Sequence, residues 1–300
     1  MSYASQDEID RLFEAFQGIP KPSHINGCPC SFCISEEGIM ALVDSDLRVL
    51  EKERLDVYVD NVFGTIGDYE DFTWLLPAIL RHWAKELDCD NWKCKYVESV
   101  HRALRWCGFL QDQLASHVRS AVVSFMRTAL LRHIGNESTL VFEGEVTSYR
   151  WMGNFAAYGV IVDDVPKLWD AWWSLPTIGH AITTVQYASC LICAASRNPV
   201  YPTVNGSPSA PGLWDPYVDS SGSLDWQSPN IKFLRTTLTP EYLGERLKAA
   251  RHLYGERLAN IPEILLKQMG QNSDQVSRRI DFLIEMLAKE MKSPLAKWPE

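Results

Sequence analysis

The fold is decided by residues 68–80, which read DYEDFTWLLPAIL. Asp68 can accept backbone donors at a helix start, and Asp71 adds a second favourable charge at the positive end of the helix dipole. The residues that follow form one apolar face at helical spacing: Phe72, Leu75, Leu76, Ile79 and Leu80. The stretch therefore predicts a buried helix that runs to about Leu87.

Two features of this helix allow more than one interpretation. Pro77 removes one backbone hydrogen bond and costs ~3 kcal/mol inside a helix, which predicts a kink or a break. Asp68, Glu70 and Asp71 could alternatively form an acidic metal-binding or catalytic cluster. Helix capping is the simpler explanation for these three carboxylates.

Helical periodicity also dominates the rest of the chain. Ser5 and Glu8 have the spacing of a capping box, and an apolar face follows them. Successive helical segments of similar length continue through Arg197, although no fixed sequence period is legible. The sequence predicts an all-α fold in which antiparallel helical hairpins stack in a HEAT-like or irregular α-solenoid.

The chain organisation changes after residue 197. We expect a helical domain over 1–197 that carries an N-terminal Cys/His cluster. Residues 198–230 are rich in Pro and Ser and read as a long loop. Its aromatic residues suggest that it is pinned across the helices and offers one candidate binding surface. Residues 231–300 predict C-terminal helices packed on the same core.

Composition restricts the class of partner and the compartment. The chain is 46% apolar, enough for a sizeable core, and its formal net charge is −9. Nucleic acid and anionic membranes require a basic footprint, so we expect neither as a partner. The acidic balance fits a basic protein partner. Eight cysteines without a visible leader or a bilayer-spanning run predict reduced thiols in a cytoplasmic protein.

The densest chemical signal is the segment 24–33, which holds His24, Cys28, Cys30 and Cys33. Imidazole and thiolate are donors that zinc prefers, so these four residues predict one structural zinc ion. The C-x-C spacing of Cys28 and Cys30 is tighter than usual, whereas Cys30 and Cys33 fit the usual spacing. Two alternatives stay open: some of these cysteines are buried apolar thiols, or they form a redox switch.

The remaining chemistry-bearing residues predict neither catalytic nor cofactor-binding sites. Cys190 and Cys193 lie three residues apart in an apolar helical run, which is typical of a helix core. The histidines are scattered over helices without a local Ser, Cys or Asp arrangement that would define a triad. Phosphate-binding and dinucleotide-binding motifs are absent from the sequence.

Several segments together resemble a recurring pattern in uncharacterised bacterial all-helical proteins. Those proteins have an N-terminal Cys-rich motif, then Gly-Asp-x-x-Asp-Phe and Leu-Pro-x-x-Leu segments, which match residues 67–72 and 76–80 here. Residues 168–172 and 178–181 are similar to their second helical hairpin. The resemblance covers about residues 28–197. It implies an all-helical fold and no established reaction.

These observations lead to one functional hypothesis and two alternatives. We expect a protein-binding module, a bacterial immunity protein that neutralises a cognate basic toxin domain by occluding its active site. Steering between opposite charges would speed such an association. The alternatives are a zinc-dependent enzyme that keeps an open position at the Cys/His site, and an intracellular helical scaffold protein. The sequence leaves the oligomeric state open.

Overall fold

The computed structural model describes residues 2–28, 34–88, 95–141, 150–194, 197–201 and 225–288. Within these ranges the regular structure is fourteen α-helices with two short 3-10 turns, and no β-strand is found. One isolated parallel bridge joins Val62 and Ile66. The predicted all-α class is therefore confirmed. None of the described helices is long and apolar enough to cross a membrane.

The chain divides into two compact units, Met1–Leu130 and Leu131–Glu300, and the division falls within one helix. The helices up to and including that one are α1 Gln6–Ala15, α2 Glu36–Asp44, α3 Lys52–Asn61, α4 Tyr69–Glu86, α5 Tyr96–Arg105, α6 Phe109–Asp112 and α7 Ser116–Gly135. In the first unit α4 lies at the centre and contacts α1, α3 and α5.

Helix α4 is continuous through Pro77, so of the two expected outcomes, a kink or a break, the break is excluded. Twelve of its eighteen residues are buried. Burial of an apolar side chain stabilises the fold by ~1.5–3 kcal/mol, so packing on three neighbouring helices outweighs the single hydrogen bond that proline removes.

Two helices of the first unit, α1 and α4, begin with a capping box. The Ser5 side chain accepts from the Glu8 amide and the Glu8 carboxylate accepts from the Ser5 amide, as predicted. Asp68 Oδ1 accepts from the amides of Glu70 and Asp71 at 2.9 and 3.2 Å. Asp71 Oδ2 in turn accepts from the Asp68 amide at 3.1 Å. Capping therefore accounts for the carboxylates of Asp68 and Asp71.

The second unit is built around one buried helix. Its helices are α8 Arg150–Ile161, α9 Val165–Trp173, α10 Ile178–Ile192, α11 Ser228–Thr237, α12 Pro240–Tyr254, α13 Ile261–Gln271 and α14 Ser273–Leu287. Helix α10 contacts α9, α12, α13 and α14, and every residue from Gly179 to Ile192 is buried. Because the helix is covered on all sides, its neighbours define the core of this unit.

Aromatic side chains fill the space between α9 and α10. The rings of Trp169 and Trp173 stack with centroids 4.5 Å apart, and the Tyr187 ring meets both of them edge-on. Trp172 is fully buried, and its indole N–H donates to Thr183 Oγ1 at 2.8 Å. These contacts satisfy a buried polar group while the rings supply apolar area.

The start of α10 approaches the end of α7 at backbone distance. A Cβ placed on Gly179 would lie 1.9 Å from the carbonyl oxygen of Gly135. Real Cβ atoms do not come that close to backbone, so only glycine allows this approach. The Thr177 Oγ1 atom lies 3.3 Å from the same carbonyl oxygen.

Helix α11 was not predicted, because its start lies inside the segment 198–230 that reads as a loop. Asn230 on α11 is fully buried and joins three backbone positions. Its amide nitrogen donates to the carbonyls of Gly159 and Val162, and its Oδ1 accepts from the Val165 amide. Asn230 therefore fixes α11 against the connection between α8 and α9. Residues 202–224 lie outside the described ranges, and the boundaries at 197 and 231 stay predictions.

Replacing Asn230 by Ala should destabilise the protein by ~2–5 kcal/mol, because buried backbone groups at Val162 and Val165 lose their partner. Chemical denaturation measures this change. Thr236→Ala is the matched control, since Thr236 is exposed on the same helix and its hydroxyl donates only to carbonyls of that helix. The control should stay within ~0.5 kcal/mol of the parent chain. Equal losses in the two variants would contradict the role assigned to Asn230.

Candidate functional site

The predicted metal ligands fall partly within the described residues. His24 is exposed, and Cys28 is half-buried. Cys30 and Cys33 lie outside the described ranges, so the predicted set of four cannot be assembled from the structure. Among the residues that are described, no group of three His, Cys, Asp or Glu side chains could hold a metal ion.

The segment that carries His24 and Cys28 is anchored to the start of α4. Ile25 is fully buried, and the carbonyl of Asn26 accepts from the Gly67 amide at 2.7 Å. Gly67 has φ +64°, and a Cβ there would lie 2.9 Å from the Tyr58 hydroxyl and 3.2 Å from Asp71 Oδ2. The Gly-Asp-x-x-Asp-Phe sequence thus packs a turn tightly over Tyr58, next to the Cys/His segment.

This turn contains a carboxyl group with a strongly perturbed proton affinity. Burial, together with the nearby Asp68 carboxylate, raises the pKa of Asp71 to about 6, and the hydrogen bond from the Asp68 amide partly opposes this rise. Burial also raises the pKa of Tyr58 well above its ordinary range. Asp71 is only 3% exposed. A substrate therefore has no path to this carboxyl group, and its role is structural.

The buried histidines also have structural roles. His180 Nε2 lies 3.1 Å from the Leu131 carbonyl, and its Nδ1 lies 2.7 Å from Thr177 Oγ1, which matches a neutral ring. Burial lowers the pKa of His180 to about 4. His101 accepts from the Trp83 indole, and burial lowers its pKa to about 3. Both rings act as hydrogen-bonding parts of the core.

Cys190 and Cys193 are buried, as the sequence predicts for this apolar helix. Cys193 Sγ donates to Gln268 Oε1, and Cys190 Sγ donates to the Gln186 carbonyl at 3.3 Å. Burial raises the pKa of Cys193 to about 12 and that of Cys190 well above its usual range. A thiol that stays protonated is a poor nucleophile and a poor metal ligand. The core interpretation is therefore supported.

Sequence reasoning missed an acidic region in the first unit. Residues 36–60, which form α2, α3 and their connection, contain eight acidic and three basic residues, a net charge of −5 out of the chain's −9. Six exposed carboxylates there form no ion pair with any described residue: Glu36, Glu37, Asp44, Asp46, Glu51 and Glu53. We call the exposed part of residues 36–60 the acidic surface.

The acidic surface also carries exposed apolar side chains. Met40 is 43% exposed, Val49 72% and Val57 40%. By contrast, Tyr201 and Trp226, the described ends of the predicted aromatic loop, are 1% and 5% exposed. Those two rings belong to the core and cannot serve as docking anchors. A sequence signal existed for the acidic surface, since these apolar residues fall among carboxylates.

Comparisons with known proteins add no relative. No family model, no curated protein and no solved structure matches the chain. The function must therefore be argued from the site itself.

The Asp71→Asn variant should lose part of the pH dependence of folding stability. A carboxyl group whose pKa is raised in the folded state contributes stability that is present below its unfolded pKa and is lost as pH rises through its folded pKa. For Asp71 this loss falls between about pH 4 and pH 6. Over that interval the variant should gain ~2–3 kcal/mol relative to the parent chain, as measured by chemical denaturation.

Glu14→Gln is the control for this experiment, because Glu14 is exposed and is not among the groups that shift the pKa of Asp71. Its stability difference from the parent chain should hardly change between pH 4 and pH 6. A parallel pH dependence in the parent chain and in Asp71→Asn would show that Asp71 does not titrate in this interval.

Proposed function

We propose that this chain is a protein-binding module, a bacterial immunity protein that neutralises a cognate toxin by covering its active site. The observation that carries the proposal is the acidic surface, where exposed apolar side chains and exposed carboxylates without an ion pair in the described chain occur together on α2, α3 and their connection. Apolar side chains supply contact area at a protein interface, and surrounding charges select the partner. The proposed partner is a basic toxin domain.

The distribution of charge supports a partner of opposite sign. Helix α2 begins with Glu36 and Glu37 at its N-terminus, where Ser35 caps the Gly38 amide at 3.1 Å. Glu51 and Glu53 also lie at a helix N-terminus: Glu51 is the N-cap residue of α3, and Glu53 is in its first turn. Carboxylates that are held on helix termini without an ion pair keep their field available to an approaching cation. Such a field can raise association rates ~10–10³-fold.

The rigidity of the supporting helices favours the same role. Beneath the exposed residues, Leu42 of α2 and Leu55 and Tyr58 of α3 are fully buried. The helices that carry the acidic surface are thus packed into the first unit. Because these helices are already ordered, binding a partner would cost little conformational entropy.

We further propose that the helices stack in an irregular α-solenoid. We also propose that the protein is located in the cytoplasm of a bacterial cell. Contacts between consecutive helices, α3 with α4 and α5, and α12 with α13, support stacking of neighbouring hairpins. The central position of α10 in the second unit favours the irregular form over a HEAT-like repeat, because α10 contacts helices that are distant in sequence.

We also propose one structural zinc ion held by His24, Cys28, Cys30 and Cys33. Buried Ile25 and the Asn26–Gly67 hydrogen bond fix the described half of this segment, which would present the His24 and Cys28 side chains to a metal. The donor set of one imidazole and three thiolates is typical of a closed structural site. Zinc would secure this segment beside the start of α4.

Neutralising the acidic surface should slow association with the toxin. The partner is sought by co-expression with the product of the adjacent gene, followed by purification of the complex and a growth assay. In Asp44→Asn/Glu51→Gln/Glu53→Gln the association rate should fall about tenfold or more at low salt, because steering is lost. Met40→Ala and Val49→Ala should mainly accelerate dissociation, as measured by surface plasmon resonance.

The control removes the same charge from the second unit. Glu241→Gln/Glu245→Gln/Glu256→Gln replaces three exposed carboxylates there and should leave the association rate within about twofold, since these charges lie outside the proposed interface. Equal slowing by both triple variants would argue for a general charge effect and against the acidic surface. Failure to obtain a complex or restored growth would remove the immunity proposal.

Elemental analysis tests the zinc site. Protein purified under reducing conditions without chelator should contain about one zinc per chain, and Cys30→Ser and His24→Ala should lose most of it. Cys190→Ala is the control, because this buried thiol has its own hydrogen bonds, and it should keep its metal. A parent chain without zinc, or full zinc content in Cys30→Ser, would refute the site.

A further inference from the structure

Three cationic side chains line one pocket of the first unit. The pocket has a volume of about 230 Å³, and Arg48, Arg81 and Lys85 contribute to its lining. Ile9 and Phe13 of α1 also line it and add apolar surface. These residues come from α1, from the α2–α3 connection and from α4. The pocket therefore exists only in the folded chain.

Arg81 is the unusual member of this group. Its side chain is only 9% exposed, and its Nη2 donates to the Leu50 carbonyl at 2.5 Å. Its Nε is buried without a hydrogen-bond partner, and no carboxylate among the described residues lies within ion-pair distance. Burying a guanidinium without a counter-charge is costly. Burial also lowers the pKa of Arg81, because the charged guanidinium is poorly solvated there.

The neighbouring charges leave the pocket positive. Arg48 is paired with Asp10 at 2.6 Å, and its guanidinium also lies over the Phe13 ring. Lys85 is exposed and forms no ion pair with the described part of the chain. Asp46 attracts Arg81 from outside ion-pair distance. Two of the three cations thus lack a paired carboxylate, in a chain whose net charge is −9.

We propose that this pocket binds a small molecule through an oxyanion, either a carboxylate or a phosphate group, with Arg81 as the main ligand and Lys85 and Arg48 beside it. Arginine donors match the oxygen geometry of both anions. A volume of about 230 Å³ corresponds to roughly seven waters at ~30 Å³ each, which suits a small anion with a few apolar atoms.

Other side chains complete the lining of the pocket. Gln6, in the first turn of α1, and Ser2 add polar groups that can hydrogen-bond to a ligand. The apolar wall of Ile9 and Phe13 would contact the body of the ligand. Arg48 of the pocket lies within residues 36–60, which carry the acidic surface, but anion binding in the pocket does not depend on toxin binding.

Titration of the full chain with inorganic phosphate, and separately with acetate, tests the proposal by NMR at constant ionic strength. The His82 imidazole is the reporter, because its Nε2 lies 2.9 Å from Arg81 Nη2. We expect saturable shifts with at least one anion. Lys85→Gln and Arg48→Gln should each weaken binding about tenfold, the usual effect of losing one charged hydrogen bond.

Lys21→Gln is the matched control, since this exposed lysine is not part of the pocket lining, and it should bind as the parent chain does. Arg81→Met should abolish binding, and the two surface variants decide the matter if Arg81→Met does not fold. Saturation by phosphate alone would identify a phosphate ligand, and saturation by acetate alone a carboxylate. A linear response to both anions, or undiminished affinity in Lys85→Gln and Arg48→Gln, would overturn the proposal.

Discussion

The complete burial of α10 is the constraint on which the second unit depends. In a helix covered on all sides, polar side chains can find hydrogen-bond partners only within the protein. Thr183 does so by donating to carbonyls of its own helix while it accepts from the Trp172 indole. Gln186 accepts from the Trp151 indole and donates to the Thr139 carbonyl. The bonds with Trp172, Trp151 and Thr139 each hold a neighbouring segment against α10. Buried polar groups therefore select one arrangement of the helices, whereas apolar packing alone would allow several.

Local rules account for what the sequence predicted correctly. The capping boxes at Ser5 and Asp68 join residues three positions apart, so they could be read from the chain directly. Helix α11 escaped prediction because its stability comes from Asn230, whose bonds reach Gly159 and Val162 about seventy residues away. For Pro77 the propensity was read correctly, but tertiary packing prevailed over it.

The candidate sites follow the same division between local and distant information. The acidic surface is contiguous in sequence. It could have been predicted from the count of charged residues and from the apolar residues that lie among the carboxylates. The basic pocket could not, because Arg48 and Arg81 are thirty-three positions apart and neither has a distinctive neighbour. The first unit thus combines an outward-facing negative surface with a recessed positive pocket. The two proposed sites attract opposite charges, although they adjoin in sequence at Arg48 and Val49.

The contact between Gly179 and the carbonyl of Gly135 has an evolutionary consequence. Most core positions accept a residue of similar volume, because neighbouring side chains can repack around it. At this crossing the obstacle is main chain, which has no alternative rotamer. Descendants of this chain that keep the crossing must therefore keep glycine at position 179, however far the surrounding sequence drifts. A glycine at this position would therefore help to identify distant homologues whose overall sequence similarity is low.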